Sequence, residues 1–246
     1  MRVLVTRPRD DAEDTARRLA DLGHEVLIEP VLDIRFLRPA SVDLAGFQAF
    51  LATSRNGVRA LVHAGAPRNM PLMAVGRSTA ALARESGFVE VHDADGDVQD
   101  LAALVQRRLK PDGAPLFHAA GSDRTGDLRG ELEVAGYSVR REALYEAVQA
   151  SAFSPEAEKA LKYRQIDAVL FFSPRSAEAF ARLALPNDGV RLACGDMAAI
   201  CISERTVRSL HPLSFRDVRV AGRPNQDALM ACLPAIGGER DHGRPE

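Results

Sequence analysis

"RVLVTRPRDDAEDTARRLADLGHEV" (residues 2–26) decides how this chain folds. The run RVLVT at 2–6 has the length of a strand, and "EVLIE" at 25–29 is a second one. Between them, "DDAEDTARRLADLG" repeats apolar positions at helical spacing and stops on a glycine, as an amphipathic helix does. Strand, helix, strand in that order is a βα unit, the connection that parallel strands require. The same unit returns in "PLFHAAGSDRTGDLRGELEVAGYSV" (residues 115–139), which aligns without gaps at an offset of 113 and sets Leu19 on Leu132, Gly23 on Gly136 and Val26 on Val139. The chain therefore reads as two copies of one pattern.

Working outward, "LATSRNGV" (51–58) matches "FFSPRSAE" (171–178) at an offset of 120, and "AVGRSTAALA" matches "ACGDMAAICI" at 119. Short apolar runs predict further strands at 48–53, 72–75, 89–92, 168–173, 191–194 and 218–221. With those at 115–120 and 137–141, each copy holds five strands, enough for a doubly wound parallel sheet covered by helices. The segments after each copy's second strand differ between copies and read as linkers. The glycine- and charge-rich end, 237–246, reads as a flexible tail.

Composition narrows the function. The 246 residues are 46% hydrophobic and 27% charged, with 32 basic and 34 acidic side chains leaving a formal charge of −2, so no global field draws the chain to nucleic acid or an anionic membrane. Cys194, Cys201 and Cys232 form no C-x-x-C pair and read as buried small hydrophobes. The six histidines lack H-x-x-x-H spacing, so no metal site is expected. The opening apolar run is too short for a secretory segment, no stretch has membrane-span length, and a cytoplasmic location is expected.

In an open α/β sheet the ligand crevice lies beyond the carboxyl ends of the strands, where helix N-termini offer free N–H groups and partial positive charge. The junctions there read Thr6-Arg7, Thr53-Ser54-Arg55, Gly76-Arg77-Ser78-Thr79, Gly121-Ser122-Asp123-Arg124, Ser173-Pro174-Arg175-Ser176 and Gly195-Asp196. Any single arginine after a strand is ordinarily a solvated surface residue. Recurrence of arginine and hydroxyl at five of the six junctions points to a small ligand bearing many carboxylates or phosphates. Neither G-x-G-x-x-G after a strand nor G-x-x-x-x-G-K-[ST] occurs, which disfavours a dinucleotide or P-loop nucleotide, and no G-x-S-x-G elbow suggests a hydrolase.

The order and spacing of "VLVTRP", "ATSRNGVRAL", "MAVGRSTAALARESGF", "AAGSDRTGDLRGELEVAGYSV", "ALYEAV", "VLFFSPRSAEAF" and "VRVAGRPNQDAL" resemble the uroporphyrinogen-III synthase family over nearly the whole chain. The resemblance implies two flavodoxin-like domains joined by a two-stranded linker: residues 1–35 with 150–246, residues 45–140, and linkers at 36–44 and 141–149. It implies a cofactor-independent lyase of porphyrin biosynthesis, without metal, that acts on linear hydroxymethylbilane in an inter-domain cleft. That substrate loses its terminal hydroxyl and closes with inversion of ring D, giving uroporphyrinogen III. Its four acetates and four propionates meet the polyanion expectation from the junctions. The implied carboxylate-binding set is Thr53, Ser54, Arg55, Gly76, Arg77, Ser78, Thr79, Gly121, Arg124, Ser173 and Ser176. Tyr145 matches the family's linker tyrosine and is the implied assistant to hydroxyl departure, acting mainly through a hydrogen bond. A monomer that binds neither nucleic acid nor membrane is expected.

One junction departs from this pattern. "ACGDMAAIC" sets Asp196-Met197 where the other copy has Gly76-Arg77-Ser78-Thr79. An aspartate at a helix N-terminus stabilises the helix and opposes a carboxylate ligand, so Asp196 is left out of the set and the first domain is expected to contribute less. The departure leaves a diverged, inactive relative open. A second reading of the same residues is a non-catalytic two-domain protein that closes on a polyanion, and it differs from the enzyme only in yielding no product.

Overall fold

The computed structural model describes residues 1–37, 43–123 and 126–233. The predicted ligand Arg124, the middle of the predicted 36–44 linker and the predicted 237–246 tail lie outside the described residues. In chain order the elements are β1 (Arg2–Val5), α1 (Arg9–Asp21), β2 (Glu25–Ile28), β3 (Leu32–Phe36), β4 (Ala49–Ala52), α2 (Arg55–His63), β5 (Leu72–Ala74), α3 (Arg77–Glu85), β6 (Val91–Asp93) and α4 (Val98–Arg108). They continue with β7 (Leu116–Gly121), α5 (Leu128–Val134), β8 (Val139–Gln149), α6 (Pro155–Lys162), β9 (Ala168–Phe171), α7 (Pro174–Ala184), α8 (Asp188–Ala193), β10 (Ala198–Cys201), α9 (Glu204–Arg208), β11 (Asp217–Val220) and α10 (Gln226–Met230).

Two compact units result, Met1–Asp33 with Val148–Glu246, and Ile34–Ala147. The first holds a five-stranded sheet in the order β11-β10-β9-β1-β2, with every neighbouring pair parallel. The second holds the order β3-β8-β7-β4-β5-β6, parallel from β8 to β6. Numbered in chain order, the first unit's five strands have the doubly wound order 2-1-3-4-5 of flavodoxin-like folds, and the second unit's parallel run β8-β7-β4-β5-β6 has the same order once β7 and β8 are counted as its first two strands, the place they hold in their own sequence copy. The first two strands of each sequence copy complete the sheet formed by the last three strands of the other copy.

Apolar side chains on both faces of each sheet explain why the strands read as unbroken hydrophobic runs. In the first unit, Leu4, Val169, Phe171 and Ala199 pack with Phe180 of α7 on one side, while Val3, Val5, Leu170 and Ile200 meet Ala12 and Leu19 of α1 on the other. In the second, Phe50, Ala52 and Phe117 pack under Val58 and Leu61 of α2, and Leu51, Met73 and Leu116 under Leu101 and Val105 of α4.

Three expectations need correction. Residues 191–194 are not a strand: α8 and a 3-10 turn at Cys194–Asp196 occupy that stretch, and the strand is β10, "AAIC". The alanines of β10 carry little strand signal, and a six-residue helix is too short to display its period. Asp196 therefore precedes the amino end of a strand, opens no helix toward a ligand, and pairs with Arg164 at 2.9 Å. The reason for suspecting an inactive relative falls with it. The second sheet has six strands where five were expected, because β3 lies beside β8. Leu37 N–H donates to Leu144 O at 2.8 Å and Ala150 N–H to Val31 O at 3.0 Å, so residue numbers fall along one strand as they rise along the other, the antiparallel arrangement. Cys194 and Cys201 are buried and their thiols are pushed up to about 12, mainly by burial, whereas Cys232 is only partly buried. Among the described residues no helix is long and apolar enough to cross a membrane.

One glycine fixes how α2 meets its sheet. A methyl group at Gly57 would lie 2.8 Å from the backbone oxygen of Ala119 in β7, so the first turn of α2 approaches that strand more closely than any side chain permits. Gly57→Ala is expected to cost about 2 kcal/mol of stability, read from the midpoint of urea unfolding.

Candidate functional site

The carboxyl ends of the central strands carry four helix starts of nearly identical geometry. The residue before the helix is extended at Ser54 (φ −160°, ψ 162°), Gly76 (−163°, 172°), Ser173 (−161°, 156°) and Ser203 (−163°, 162°). Each serine turns its hydroxyl oxygen back onto a backbone N–H of the first helical turn: Ser54 onto Gly57 at 3.1 Å, Ser173 onto Ser176 at 3.1 Å and Ser203 onto Thr206 at 3.4 Å. Gly76 has no side chain to do so, and the start of α3 keeps amide donors that no side chain caps.

In the second unit, Ser54 is joined to the tyrosine singled out from the sequence. The Ser54 and Tyr145 hydroxyls stand 2.8 Å apart. A bulge in β8 makes this possible. Ala120 of β7 faces Ala143, but Gly121 faces Tyr145, so β8 spends one extra residue, Leu144, across one step. Leu144 and Tyr145 consequently both pack against the cluster beneath α2. Gly121 makes room for the phenol ring, since a methyl there would sit 3.0 Å from Tyr145 Cε2. Gly121→Ala is expected to push the ring away from Ser54 while leaving the fold intact, and the displacement can be read directly from a crystal structure of the variant.

Thr53 precedes Ser54 and alternation along the strand turns it to the opposite face. There its Oγ1 stands 3.4 Å from Nε2 of His118, a buried residue of β7. Burial, reinforced by Arg141, pushes the His118 imidazole down to about 4, so it is neutral at physiological pH. Arg141 lies opposite His118 in the β7–β8 register and donates to the carbonyls of Gly121 at 2.6 Å and Asp123 at 3.1 Å, which holds the exit of β7.

The other sequence candidates differ in accessibility. Arg55 opens α2 and is partly buried. Arg77 and Ser78 are exposed on the first turn of α3, and Arg77 pairs with Asp95. Thr79 is buried, with 4% of its surface exposed, which puts its side chain out of a ligand's reach. In the first unit Ser173 is partly exposed, while Ser176 is 1% exposed and donates to Ser173 O at 2.9 Å, so its hydroxyl serves the cap. Thr6 and Arg7 tie the first unit together: Thr6 Oγ1 donates to Leu170 O, and Arg7 bonds Thr15 and Gln226 with its guanidinium 4.2 Å above the Phe172 ring.

Sequence reasoning missed Ser203, His118 and Arg141. Ser203-Glu204-Arg205-Thr206 is the true structural counterpart of Gly76-Arg77-Ser78-Thr79, following β10 as that turn follows β5. A serine after an apolar run with a hydroxyl three residues on was the signal. His118 and Arg141 carry no motif, and only strand register unites them.

These features define a class: a duplicated flavodoxin-type α/β chain with extended, mostly serine-capped helix starts at the carboxyl ends of its strands and a tyrosine hydroxyl held at one of them. Comparison makes the assignment specific. The chain belongs to the uroporphyrinogen-III synthase family, whose model, described as Uroporphyrinogen-III synthase HemD, matches residues 13–231. A curated relative, the porphyrin biosynthesis protein HemD of Ruminiclostridium josui, is 23% identical over 254 residues that take in 96% of this chain and 49% of the relative. This chain thus spans about half the length of that protein. Among solved structures, uroporphyrinogen-III synthetase from Helicobacter pylori is similar with a TM-score of 0.64 at 18% identity, over 94% of this chain and 97% of that one. A mutant uroporphyrinogen III synthase from Thermus thermophilus is similar at 0.52 and 22%, over 94% and 96%. At these identities the two structures speak to the fold.

Proposed function

We propose that this chain closes linear hydroxymethylbilane to uroporphyrinogen III, with loss of water and inversion of ring D, as a cofactor-independent lyase. The observation that carries the reading is the hydrogen bond between Tyr145 and the Ser54 cap at the exit of β4, within a chain that belongs to this family. Junctions of both units supply the donors for the substrate's carboxylates: the amides of α3 at Gly76, the hydroxyl of Thr53, the exposed Arg77 and Ser78, and in the first unit Ser173 and Ser203, while the single hydroxyl hydrogen of Ser54 goes to the Tyr145 oxygen. Anions at helix starts are stabilised by the free N–H groups and the helix dipole together.

The linear substrate also closes spontaneously, without inversion. The protein's task is to hold the chain so that the substituted carbon of ring D reaches the cation left by hydroxyl departure first. Positioning of this kind supplies several kcal/mol of barrier reduction, roughly 7 to 11 at its best. Tyr145 donates a hydrogen bond to the departing hydroxyl, and Ser54, itself bound to the phenol, keeps that donor aimed. No protein atom bonds covalently to substrate in this scheme. Incubation with freshly generated hydroxymethylbilane, followed by chromatographic separation of the products, is expected to give isomer III. Isomer I alone, at the uncatalysed rate, would overturn the proposal and favour the polyanion-binding reading.

A further inference from the structure

The face of the second sheet opposite Ser54 and Tyr145 carries a row of three polar side chains on neighbouring strands. Thr53 stands at the exit of β4, His118 on β7 and Arg141 on β8. The register aligns them: Leu51 faces His118, so Thr53, two residues on, shares its side of the sheet, and His118 faces Arg141 directly. His118 is 8% exposed. Its Nε2 is directed at Thr53 Oγ1, and its Nδ1 is buried with no hydrogen-bond partner among the described residues.

An unpartnered buried ring nitrogen is costly, and the cost depends on which nitrogen carries the proton. If Nε2 accepted from the threonine, Nδ1 would be a buried N–H with nothing to receive it, and Thr53 would turn oxygen lone pairs outward. In the other tautomer Nε2–H donates to Thr53 Oγ1 and Nδ1 keeps only a lone pair, and the cationic Arg141 that faces His118 from β8 disfavours a second proton on the ring. The Thr53 hydroxyl hydrogen is then unspent and available to an acceptor at the carboxyl end of β4. A carboxylate is acceptor-only, so a threonine fixed as donor favours it, whereas one turned the other way repels it.

We propose that His118 is a positioning residue, held as the neutral Nε2–H tautomer, that makes Thr53 a hydrogen-bond donor and so selects for a carboxylate at the Thr53–Ser54 turn. The selection for a carboxylate rests on the function proposed above; the tautomer and the donor role stand on this geometry alone.

Nitrogen-15 spectra of the ligand-free protein labelled in its histidine rings test the tautomer without any assay. At neutral pH, His118 is expected to show a protonated Nε2 and an unprotonated, pyridine-type Nδ1; the reverse assignment overturns the proposal. Kinetics then test the consequence. H118L, which keeps bulk but has no donor, is expected to raise KM for hydroxymethylbilane several-fold, up to about tenfold, with kcat within about threefold, because Thr53 loses the partner that fixes its hydroxyl outward as a donor. H118Q, whose amide N–H can replace the Nε2 donor, is expected to have a KM well below that of H118L. Equal defects in the two variants, or a fall confined to kcat, would contradict a donor-setting role. Should H118L not fold, H118Q and the spectra still decide the matter. An enzyme inactive in wild-type form with the Nε2–H tautomer present would refute the proposed function and leave the tautomer assignment standing.

Discussion

Tyr145→Phe is expected to lower kcat on the order of a hundredfold, the lower end of what a positioned proton donor contributes. On the proposed mechanism the effect should fall on kcat, because there the phenol assists hydroxyl departure while the proposed carboxylate contacts that set KM lie elsewhere. Stability should change by no more than about 1 kcal/mol, since the ring remains to pack on its cluster and the serine it leaves keeps its bond to Gly57 N. Ser54→Ala separates orientation from donation. It removes the partner that aims the phenol together with the cap of α2, so it should lower kcat less than Y145F and cost about 1 kcal/mol of stability. A folded Y145F protein with full turnover would remove Tyr145 from the mechanism and leave positioning by the junctions as the sole source of rate.

The second large effect is acid sensitivity. His118 is held near 4 in the folded protein, below its ordinary 6.5, by burial and by Arg141. Below about pH 6.5 the unfolded chain takes up a proton at this residue that the folded chain excludes, so stability falls as pH drops through that window. Once the pH passes below the folded-state value the folded form binds the proton as well, and this contribution to the loss is complete. The total amounts to about 3 kcal/mol at roughly 1.4 kcal/mol for each unit of displacement. Urea unfolding of wild type and H118Q at neutral pH and near the lower edge of the window isolates the residue from other titrating groups. The wild type is expected to lose about 2 to 3 kcal/mol more than the variant. Parallel losses in the two proteins would show that His118 titrates near its ordinary value.

Much of the fold is legible in the sequence because both sheets are buried on both faces. The runs at Arg2–Val5, Ala49–Ala52 and Ala168–Phe171 announce themselves as apolar blocks, and α1 announces itself by its period and its terminal glycine. Where side chains are small the signal fades. Ala198–Cys201 is half alanine, a residue that prefers helices, and misplacing that one strand displaced the following junction and put Asp196 where Ser203 belongs. The exchange of strands between the two copies is invisible to repeat analysis, since either copy's βα unit has the apolar surface to complete either sheet.

The candidate site divides along the same line. Ser54, Gly76 and Ser173 could be picked out because helix caps have a local sequence signature. The link from Ser54 to Tyr145 could not, because it depends on a bulge opposite Gly121 that brings together residues 91 positions apart. His118 was equally hidden. It sits in an ordinary apolar strand, and its character comes from what faces it across two neighbours, Thr53 and Arg141.

The most direct test of the central claim is the isomer composition formed when purified protein meets freshly generated hydroxymethylbilane, with wild type and Y145F run beside a protein-free control. The wild type should convert the substrate to isomer III faster than the control closes to isomer I, with Y145F between them. Isomer I in all three reactions, at one common rate, would contradict the account.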